Sequence, residues 1–400
     1  MQLIRIAVLF SSIFMTACVQ TPGPARVALA FDRAGEIASM SEGVADPDTR
    51  RPASADDPVR IASISKLVVT VGVMKLVEER QLDLDRPVGH YLGYPVENPA
   101  FPGQPVTLRH LLSHTGSLRD HDDQYAIPLG ETLRAVLADA ASWDARHGPT
   151  AGYFTYANVN FPIVASIIER VTGERFDIAM RRLVLDPMKI DACFNWPTCS
   201  ERAVARAVVL TQNGVAVRDD LRGKRPDCPV FVREGVACDL TRFIAGDNGA
   251  LFSPQGGLRI SARDLVRVGR MLAGSGTIDG VRILEPESVR LMTTAAWTWN
   301  GANGDTEGGL YCRFGLSIHL LATKRGGCRD DPGLPEGDWV GHSGEAYGLR
   351  SGLWWDRKSG RGMAYFTTGL PAETPAGESA FTAPEEADVA RAVTLLQQAP

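Results

Sequence analysis

The chain has 400 residues, of which 44% are hydrophobic and 22% are charged, and its formal net charge is -5. This length exceeds the usual size of one compact core, so we expect two lobes. The acidic balance offers no broad basic surface for phosphate backbones, which argues against a nucleic-acid-binding protein. Arg259, Arg263, Arg267 and Arg270 recur at helical spacing and indicate a solvated helix face.

Residues 1–17 predict an export signal. Arg5 gives it a positive start, residues 6–15 are apolar, and small residues precede Cys18. Such a run is too short to cross a membrane as a helix. The pattern resembles the processing site of bacterial lipoproteins, in which Cys18 receives lipid, and an ordinary signal with an incidental cysteine is the alternative. We expect an exported, periplasmic lipoprotein that touches the membrane by its lipid anchor only, with residues 18–25 as a linker.

Strand patterns occur near both ends of the remaining chain, and helix patterns dominate its middle. The strand patterns lie at residues 27–31, 35–41, 314–321, 351–355 and 363–368. The helix patterns lie at residues 67–76, 131–141, 161–171 and 384–398. We therefore predict an α/β fold of the α+β type. One lobe is built from about residues 26–81 and 248–398, and a mostly helical lobe, about residues 82–247, is inserted between them.

Cysteine spacing favours an oxidising compartment. Six cysteines remain when Cys18 is set aside, and they form three couples that are close in sequence. Sequence alone cannot choose among the possible pairings, so short-range closure is the simplest expectation. Each bridge stabilises by about 2–3 kcal/mol in the chain-entropy model. A zinc site is the alternative, but no Cys-x-x-Cys spacing occurs. The expected bridges are Cys193–Cys199, Cys228–Cys238 and Cys312–Cys328.

Ser63 and Lys66 place a hydroxyl and an amine three residues apart, where an apolar, helix-like run begins. Residues at i and i+3 share a helix face, so the amine can take the serine proton as the oxygen attacks a carbonyl. Taken alone, the pair is also consistent with a helix cap and a solvated lysine. Two later motifs, Tyr156-Ala157-Asn158 and His342-Ser343-Gly344, follow along the chain. The three motifs in this order are more informative together than any one of them alone.

On these motifs the chain resembles the serine β-lactamase and penicillin-binding-protein superfamily, in particular its class C β-lactamase, carboxylesterase and D-peptidase branch. Further similar blocks lie at residues 76–88, 107–116, 167–173 and 256–265. The resemblance covers about residues 26–398. It implies an antiparallel β-sheet flanked by helices, of the β-lactamase/transpeptidase type, with the reactive serine at the mouth of a cleft. We expect a monomer that acts on a small-molecule or peptide substrate without a cofactor or metal.

The resemblance implies a role for each motif residue. Ser63 forms an acyl-enzyme with an ester, amide or lactam carbonyl, and Lys66 is the activating base. Tyr156 passes a proton toward the leaving group, and which of Lys66 and Tyr156 first takes the serine proton stays open. Asn158 donates a side-chain hydrogen bond to the substrate or to Lys66.

The resemblance implies that the segment beginning at His342 is the substrate-binding strand. By resemblance, the backbone amides of Ser63 and Glu345 form the oxyanion hole. Ser343 belongs to the same binding segment, and Gly344 lets substrate lie close to the strand because it has no side chain.

His342 stands where penicillin-hydrolysing relatives have a lysine that holds a substrate carboxylate. A neutral histidine holds an anion less well, so the departure favours esterase, amidase or D-amino-acid peptidase activity over β-lactamase activity. Arg350, eight residues on, is a candidate to restore the positive charge, but we favour a surface arginine.

A different functional class is a non-catalytic or slowly acylating protein that binds penicillin or cell-wall fragments. All three motifs are intact, which favours an enzyme. The histidines and aspartates within residues 110–123 are a second candidate cluster, for a metal. They lack a His-x-x-x-His pair with a nearby glutamate, so we favour buried hydrogen bonds near the cleft for His110 and His114.

Overall fold

The computed structural model describes residues 23–122 and 124–398. Cys18, the expected export signal and most of the linker lie outside the described residues. Among the described residues, no helix has the length and apolarity needed to span a bilayer.

The strands are Arg26–Phe31 (β1), Glu36–Glu42 (β2), Val44–Asp46 (β3), Arg51–Pro52 (β4), Val59–Arg60 (β5), Cys193–Phe194 (β6), Leu210–Gln212 (β7), Val215–Arg218 (β8), Leu258–Ile260 (β9), Thr277–Ile278 (β10), Val281–Arg282 (β11), Trp297–Thr298 (β12), Arg313–Phe314 (β13), His319–Leu320 (β14), Trp339–Ala346 (β15), Leu349–Asp356 (β16) and Gly362–Thr367 (β17). The α-helices are Ile64–Glu78 (α1), Gly89–Leu92 (α2), Leu108–Leu112 (α3), Leu133–Leu137 (α4), Asn160–Thr172 (α5), Phe176–Met180 (α6), Glu201–Ala205 (α7), Ala262–Ala273 (α8), Pro286–Thr293 (α9) and Ala383–Leu396 (α10).

One antiparallel sheet unites the two ends of the chain. Its strand order is β12-β13-β14-β15-β16-β17-β1-β2, so the first strand pairs with the last. Residues 82–247 add no strand to this sheet and contribute helices, loops and short strands instead. The expected antiparallel sheet flanked by helices is confirmed.

Alternating side chains give the sheet two apolar faces. In β1, Val27, Leu29 and Phe31 join the main core, where α8 packs. Ala28 and Ala30 point to the other face, which α10 covers. This period of two is what a strand buried on both sides requires. Each large apolar side chain buried here contributes about 1.5–3 kcal/mol relative to exposure.

Helix α1 lies against strands β15 and β16 and is buried along nearly its whole length. Residues 67–76 were expected to form such a core helix, because their apolar side chains face all directions. This burial fixes the start of α1, and with it residues 63–66, against the sheet.

Three local expectations need correction. The strand expected at residues 314–321 is two short strands, β13 and β14, because the chain turns at Ser317 with a φ of 54°. The helix expected at 131–141 is shorter, with α4 followed by the 3₁₀ turn Ala140–Ser142. The solvated arginine face is wrong for Arg259, which lies buried in β9, and for Arg270, which is also mostly buried.

Three disulfides join the six cysteines in the sequential couples, with Cα–Cα distances of 5.0, 5.7 and 5.9 Å. They close short loops at residues 193–199, 228–238 and 312–328.

Candidate active site

Ser63 stands at a sharp corner between β5 and α1. Ala62, directly before it, has a φ of 50°, a left-handed conformation that a residue with a side chain rarely adopts. Hydrogen bonds of Ile61 N to Leu258 O (3.1 Å) and of Leu258 N to Ser65 Oγ (3.1 Å) hold both sides of the corner. The neighbours of Ser63 are buried while Ser63 itself is only half-buried. Its hydroxyl is therefore presented at the surface of the core.

Lys66 is fully buried one helical turn after Ser63. Its Nζ lies 2.9 Å from Ser63 Oγ, 2.8 Å from Asn158 Oδ1 and 2.9 Å from the Gln255 carbonyl oxygen. A neutral amine has two N–H groups, which match the amide and carbonyl oxygens, and one lone pair. That lone pair is then left for the Ser63 hydroxyl proton.

Burial favours the neutral form of this amine. It lowers the pKa of Lys66 from its ordinary 10.5 to about 7, while the charges of Asp120 and Glu307 act in the opposite direction. A lysine with such a pKa is partly neutral at neutral pH. It can therefore accept a proton without prior activation.

His114 holds the loop that carries Tyr156. Thr155 N donates to the His114 carbonyl oxygen (2.9 Å), and Ala157 N donates to His114 Nδ1 (3.0 Å). Because Nδ1 accepts, the imidazole is neutral, and burial followed by the charge of Lys66 lowers the pKa of His114 well below its usual value. His114 thus has the buried hydrogen-bonding role that the sequence favoured.

The Tyr156 ring lies between two other rings. It stacks on His114 at 4.5 Å and on Tyr311 at 5.0 Å between ring centroids, and Lys66 Nζ lies 4.9 Å from its centroid. Its buried hydroxyl lies near the hydroxyl groups of Ser63 and Tyr311. Burial raises the pKa of Tyr156 well above its ordinary value, and the hydroxyl of Ser63 only partly opposes this shift. The phenol is therefore neutral at rest.

Asp120 fixes the orientation of Asn158. Its Oδ2 accepts hydrogen bonds from Asn158 N (2.8 Å) and Asn158 Nδ2 (2.9 Å), and its Oδ1 accepts from Val159 N (3.0 Å). The amide oxygen of Asn158 is thereby turned toward Lys66. The sequence pattern around Asp120 indicated only a candidate metal cluster and gave no sign of this role. Of the remaining cluster members, Asp123 lies outside the described residues.

Gly344 brings strand β15 against the segment before Ser63. A Cβ at Gly344 would overlap the Ile61 carbonyl oxygen, so only glycine allows this approach. Ser351 Oγ, on the neighbouring strand β16, donates to the same oxygen (3.0 Å). The contact holds the Gly344–Glu345 segment beside Ser63. An oxyanion hole built from the backbone amides of Ser63 and Glu345 requires this proximity.

The structure places His342 behind this strand rather than in the cleft. Its side chain is 1% exposed, and its Nδ1 lies 2.6 Å from the Ser343 carbonyl oxygen. Burial and then the charge of Lys66 lower its pKa to about 3. His342 is therefore a neutral packing neighbour of Tyr156, at 6.1 Å between ring centroids. The substrate contact expected of it is wrong, whereas Ser343, the next residue, does line the cleft.

A cavity of about 270 Å³ opens beside the nucleophile, and we call it the Tyr156 cavity. Its walls include Ser63, Tyr156, Asn158, Tyr311, Ser343 and Gly344. Three carboxylates, Glu307, Glu345 and Glu385, also line it. Burial and the nearby carboxylates of Asp305 and Glu345 raise the pKa of Glu307 to about 7. The cavity is therefore acidic, and more so at higher pH.

Arg350 does not supply a free positive charge here. Its Nη2 lies 2.7 Å from Glu345 Oε1 and its Nε lies 3.8 Å from Glu385 Oε2. The arginine is also 7% exposed, so the surface position weighed from sequence is wrong. Its single charge is shared between two of the three cavity carboxylates.

A sequence model of the family described as Beta-lactamase matches residues 15–385. Penicillin-binding protein 4 of Amycolatopsis lactamdurans is 27% identical over 267 residues, which cover 66% of this chain and 64% of that protein. Esterase EstB of Burkholderia gladioli is 29% identical over 180 residues, which cover 40% of this chain and 44% of that protein. The match thus spans less than two thirds of the length of these curated relatives.

Solved structures show the same fold. The D-amino acid amidase from Ochrobactrum anthropi SV3, complexed with D-phenylalanine, superimposes with a TM-score of 0.65 at 17% identity. The superposition covers 94% of this chain and 95% of the amidase chain. At this identity the likeness concerns the fold alone.

Proposed function

The chain belongs to the Beta-lactamase family, whose members include serine hydrolases, and from this premise we propose that it hydrolyses ester or amide substrates through an acyl-enzyme on Ser63. The observation that carries the proposal is the 2.9 Å contact between Ser63 Oγ and a fully buried Lys66 amine with a pKa of about 7.

The contacts favour Lys66 over Tyr156 as the first base. Lys66 accepts the hydroxyl proton as Ser63 Oγ forms a bond to the carbonyl carbon, and the backbone amides of Ser63 and Glu345 stabilise the oxyanion. The bond to the leaving group then breaks, and the neutral Tyr156 phenol donates its proton to the departing atom while the Lys66 proton restores the phenol. Water attacks the acyl-enzyme by the same path in reverse, which releases the acid and regenerates Ser63.

The Tyr156 cavity suggests which leaving groups are accepted. Tyr156 lines this cavity, so the leaving group occupies it. Carboxylates line the cavity, and its arginine is already paired with two of them. A substrate carboxylate on this side, such as that of a penicillin, is repelled by like charge. We therefore favour esters and amides with neutral or positively charged leaving groups over β-lactams.

We also propose, from the sequence pattern at residues 1–18, that the enzyme is exported and works as a monomer anchored by lipid at Cys18. The three disulfides are compatible with an oxidising compartment.

A labelling and turnover experiment tests the hydrolase assignment. The protein is treated with a fluorophosphonate and with a fluorescent penicillin, and the modified peptide is mapped. Turnover of p-nitrophenyl esters, D-alanyl peptides and nitrocefin is measured in parallel. We expect fluorophosphonate on Ser63, ester or amide turnover that Ser63→Ala abolishes, and the slowest turnover with nitrocefin. A stable acyl-enzyme without turnover of any substrate would instead indicate the penicillin-binding or fragment-binding alternative.

A further inference from the structure

A second cavity, of about 480 Å³, lies near the catalytic lysine, and we call it the Arg60 cavity. Its walls come from β5, β8, the loop that the Cys228–Cys238 disulfide closes, and the turn between β15 and β16. Apolar side chains such as Ile127, Val230 and Leu251 line part of it. Its charged lining residues are three arginines and two aspartates: Arg60, Arg218, Arg259, Asp219 and Asp220.

Arg60 reaches this cavity without a partner for its charge. The residue is 5% exposed, and its Nε and Nη1 atoms are buried with no hydrogen bond among the described residues. Its guanidinium lies 5.3 Å from the centroid of the Tyr347 ring, and that of Arg218 lies 5.1 Å from the same centroid. Two positive groups therefore share one aromatic ring at the cavity wall.

The carboxylates nearby are already engaged. Asp219 accepts from Arg259 Nε (3.2 Å) and Nη2 (2.7 Å), and Asp220 accepts from Arg222 (3.3 Å). Within residues 23–122 and 124–398, neither Arg60 nor Arg218 forms an ion pair of 4.0 Å or less. Burial, followed by the charge of Arg259, lowers the pKa of Arg60 to about 9, which still leaves it protonated at neutral pH.

A buried positive charge without a partner is costly, and a bound anion removes that cost. A guanidinium offers N–H groups in a geometry that matches a carboxylate. Gln255 lines the same cavity. Only its side-chain NH2 group can donate to a carboxylate, because the buried side-chain oxygen, which has no hydrogen bond among the described residues, is an acceptor.

Gln255 also ties the cavity to the reaction centre. Its carbonyl oxygen accepts a hydrogen bond from Lys66 Nζ (2.9 Å), and Arg60 stands three residues before Ser63. With the leaving group in the Tyr156 cavity, an acyl group that runs away from it past Lys66 and Gln255 is directed toward the Arg60 cavity, whose wall includes Gln255 but not Ser63.

We propose that the Arg60 cavity is an acyl-side subsite that binds a carboxylate at the far end of the substrate's acyl group, between Arg60 and Arg218. The apolar wall holds the methylene chain between this carboxylate and the reacting carbonyl. The proposal rests on the proposed function, because it names the class of acyl group that Ser63 receives.

Two p-nitrophenyl esters of equal length test the subsite: the hexanoate, which is neutral, and the adipate monoester, which ends in a carboxylate. We expect the wild-type kcat/KM to favour the adipate roughly tenfold to a hundredfold, as for hydrogen bonds to a charged group. Arg218→Gln and Arg60→Gln should bring the adipate-to-hexanoate ratio close to one. Arg218 is exposed, so its variant is expected to fold even if the Arg60 variant does not.

Arg290→Gln is the matched control, because Arg290 is 62% exposed, pairs with Glu287 and lines neither cavity. It should keep the wild-type ratio. Equal use of both esters by the wild type, or an unchanged ratio in Arg218→Gln, would overturn the subsite while leaving the hydrolase intact.

A binding arm separates the two proposals. Free adipate is titrated by calorimetry into Ser63→Ala, with and without Arg218→Gln. Binding that depends on Arg218 supports an anion site even if the wild type hydrolyses neither ester, a result that would overturn the proposed function and the link to the acyl group. Absence of adipate binding together with equal ester turnover counts against the site itself.

Discussion

The Tyr156 cavity includes Ser63 in its wall, the Arg60 cavity meets Lys66 through Gln255, and the two cavities differ in charge. The Tyr156 cavity carries Glu307, Glu345 and Glu385, with a single arginine paired to two of them. The Arg60 cavity carries three arginines and two aspartates, and two of the arginines, Arg60 and Arg218, lack an ion pair of 4.0 Å or less among the described residues. Between them, the buried Lys66 amine is held by neutral oxygen atoms. We infer that Ser63 and Lys66 carry out the reaction, whereas the two cavities select substrates by charge. One cavity acts on the leaving group and the other on the acyl group.

The largest effect is expected when the Lys66 amine is removed. Lys66→Met should lower acylation by roughly a hundredfold to ten-thousandfold, because a general base is worth that much. In the wild type, the amine must lose its proton before it can accept one from Ser63. Acylation should therefore rise as pH rises through about 7, the pKa of Lys66. The measurement is the rate of fluorophosphonate labelling across the pH range.

Lys75→Met is the control, since Lys75 lies on the same helix with a partly exposed side chain paired to Glu78. It should label at the wild-type rate. Circular dichroism checks that Lys66→Met is folded. If the folded variant were labelled at a near-normal rate, Lys66 would not be the base that activates Ser63.

A second test displaces strand β15 from the segment that precedes Ser63. Gly344→Ala forces β15 off the Ile61 carbonyl oxygen, because the new Cβ would overlap it. The Glu345 amide then shifts from the oxyanion, and kcat should fall roughly a hundredfold, as for loss of one oxyanion donor. KM should change much less. Steady-state kinetics with a neutral ester measure both.

Gly326→Ala provides the comparison variant for this strand, because nothing lies within 4 Å of a Cβ at Gly326. It should behave as the wild type. If Gly344→Ala kept full kcat in a folded protein, the oxyanion role of this segment would be refuted.

The smallest effect is expected when the charge of the Tyr156 cavity is changed. Acetylcholine and 3,3-dimethylbutyl acetate differ only in the charge of the leaving group. Glu307→Gln should lower the preference for acetylcholine roughly fivefold, as for an exposed ion pair. The wild-type preference should grow as pH rises through about 7, because the pKa of Glu307 lies there and the carboxylate ionises above it. The ratio of kcat/KM values is the readout.

Glu336→Gln serves as the reference, since Glu336 is exposed and does not line the Tyr156 cavity. A preference for the neutral ester in the wild type, with no pH dependence, would show that the carboxylates do not select leaving groups.

Sequence predicted best what is local in the chain. Ser63 and Lys66 share one helical turn, so their contact follows from helix geometry. The strand pair of β1 and β2 and the disulfide couples are also short-range features. Tyr156 and Asn158 were found through motif resemblance, because no periodicity links them to residue 63.

Partners that come from distant loops escaped prediction. Asp120 and Tyr311 reach the site only through tertiary packing, and neither stands in a motif with a chemical meaning of its own. His342 was misjudged because a strand residue points to one face or the other, and a shift of one position exchanges cleft for core. The Asp120–Asn158 spacing of 38 residues carries no signal that pattern analysis detects.

The disulfide between Cys228 and Cys238 forms part of the wall of the Arg60 cavity, whereas the contact between Ser63 and Lys66 lies within one helical turn and includes no cysteine. A newly made chain whose thiols are still reduced would thus possess its reactive hydroxyl before the shape that discriminates among acyl groups is complete. Selectivity would mature later than reactivity, in whichever compartment first oxidises these thiols.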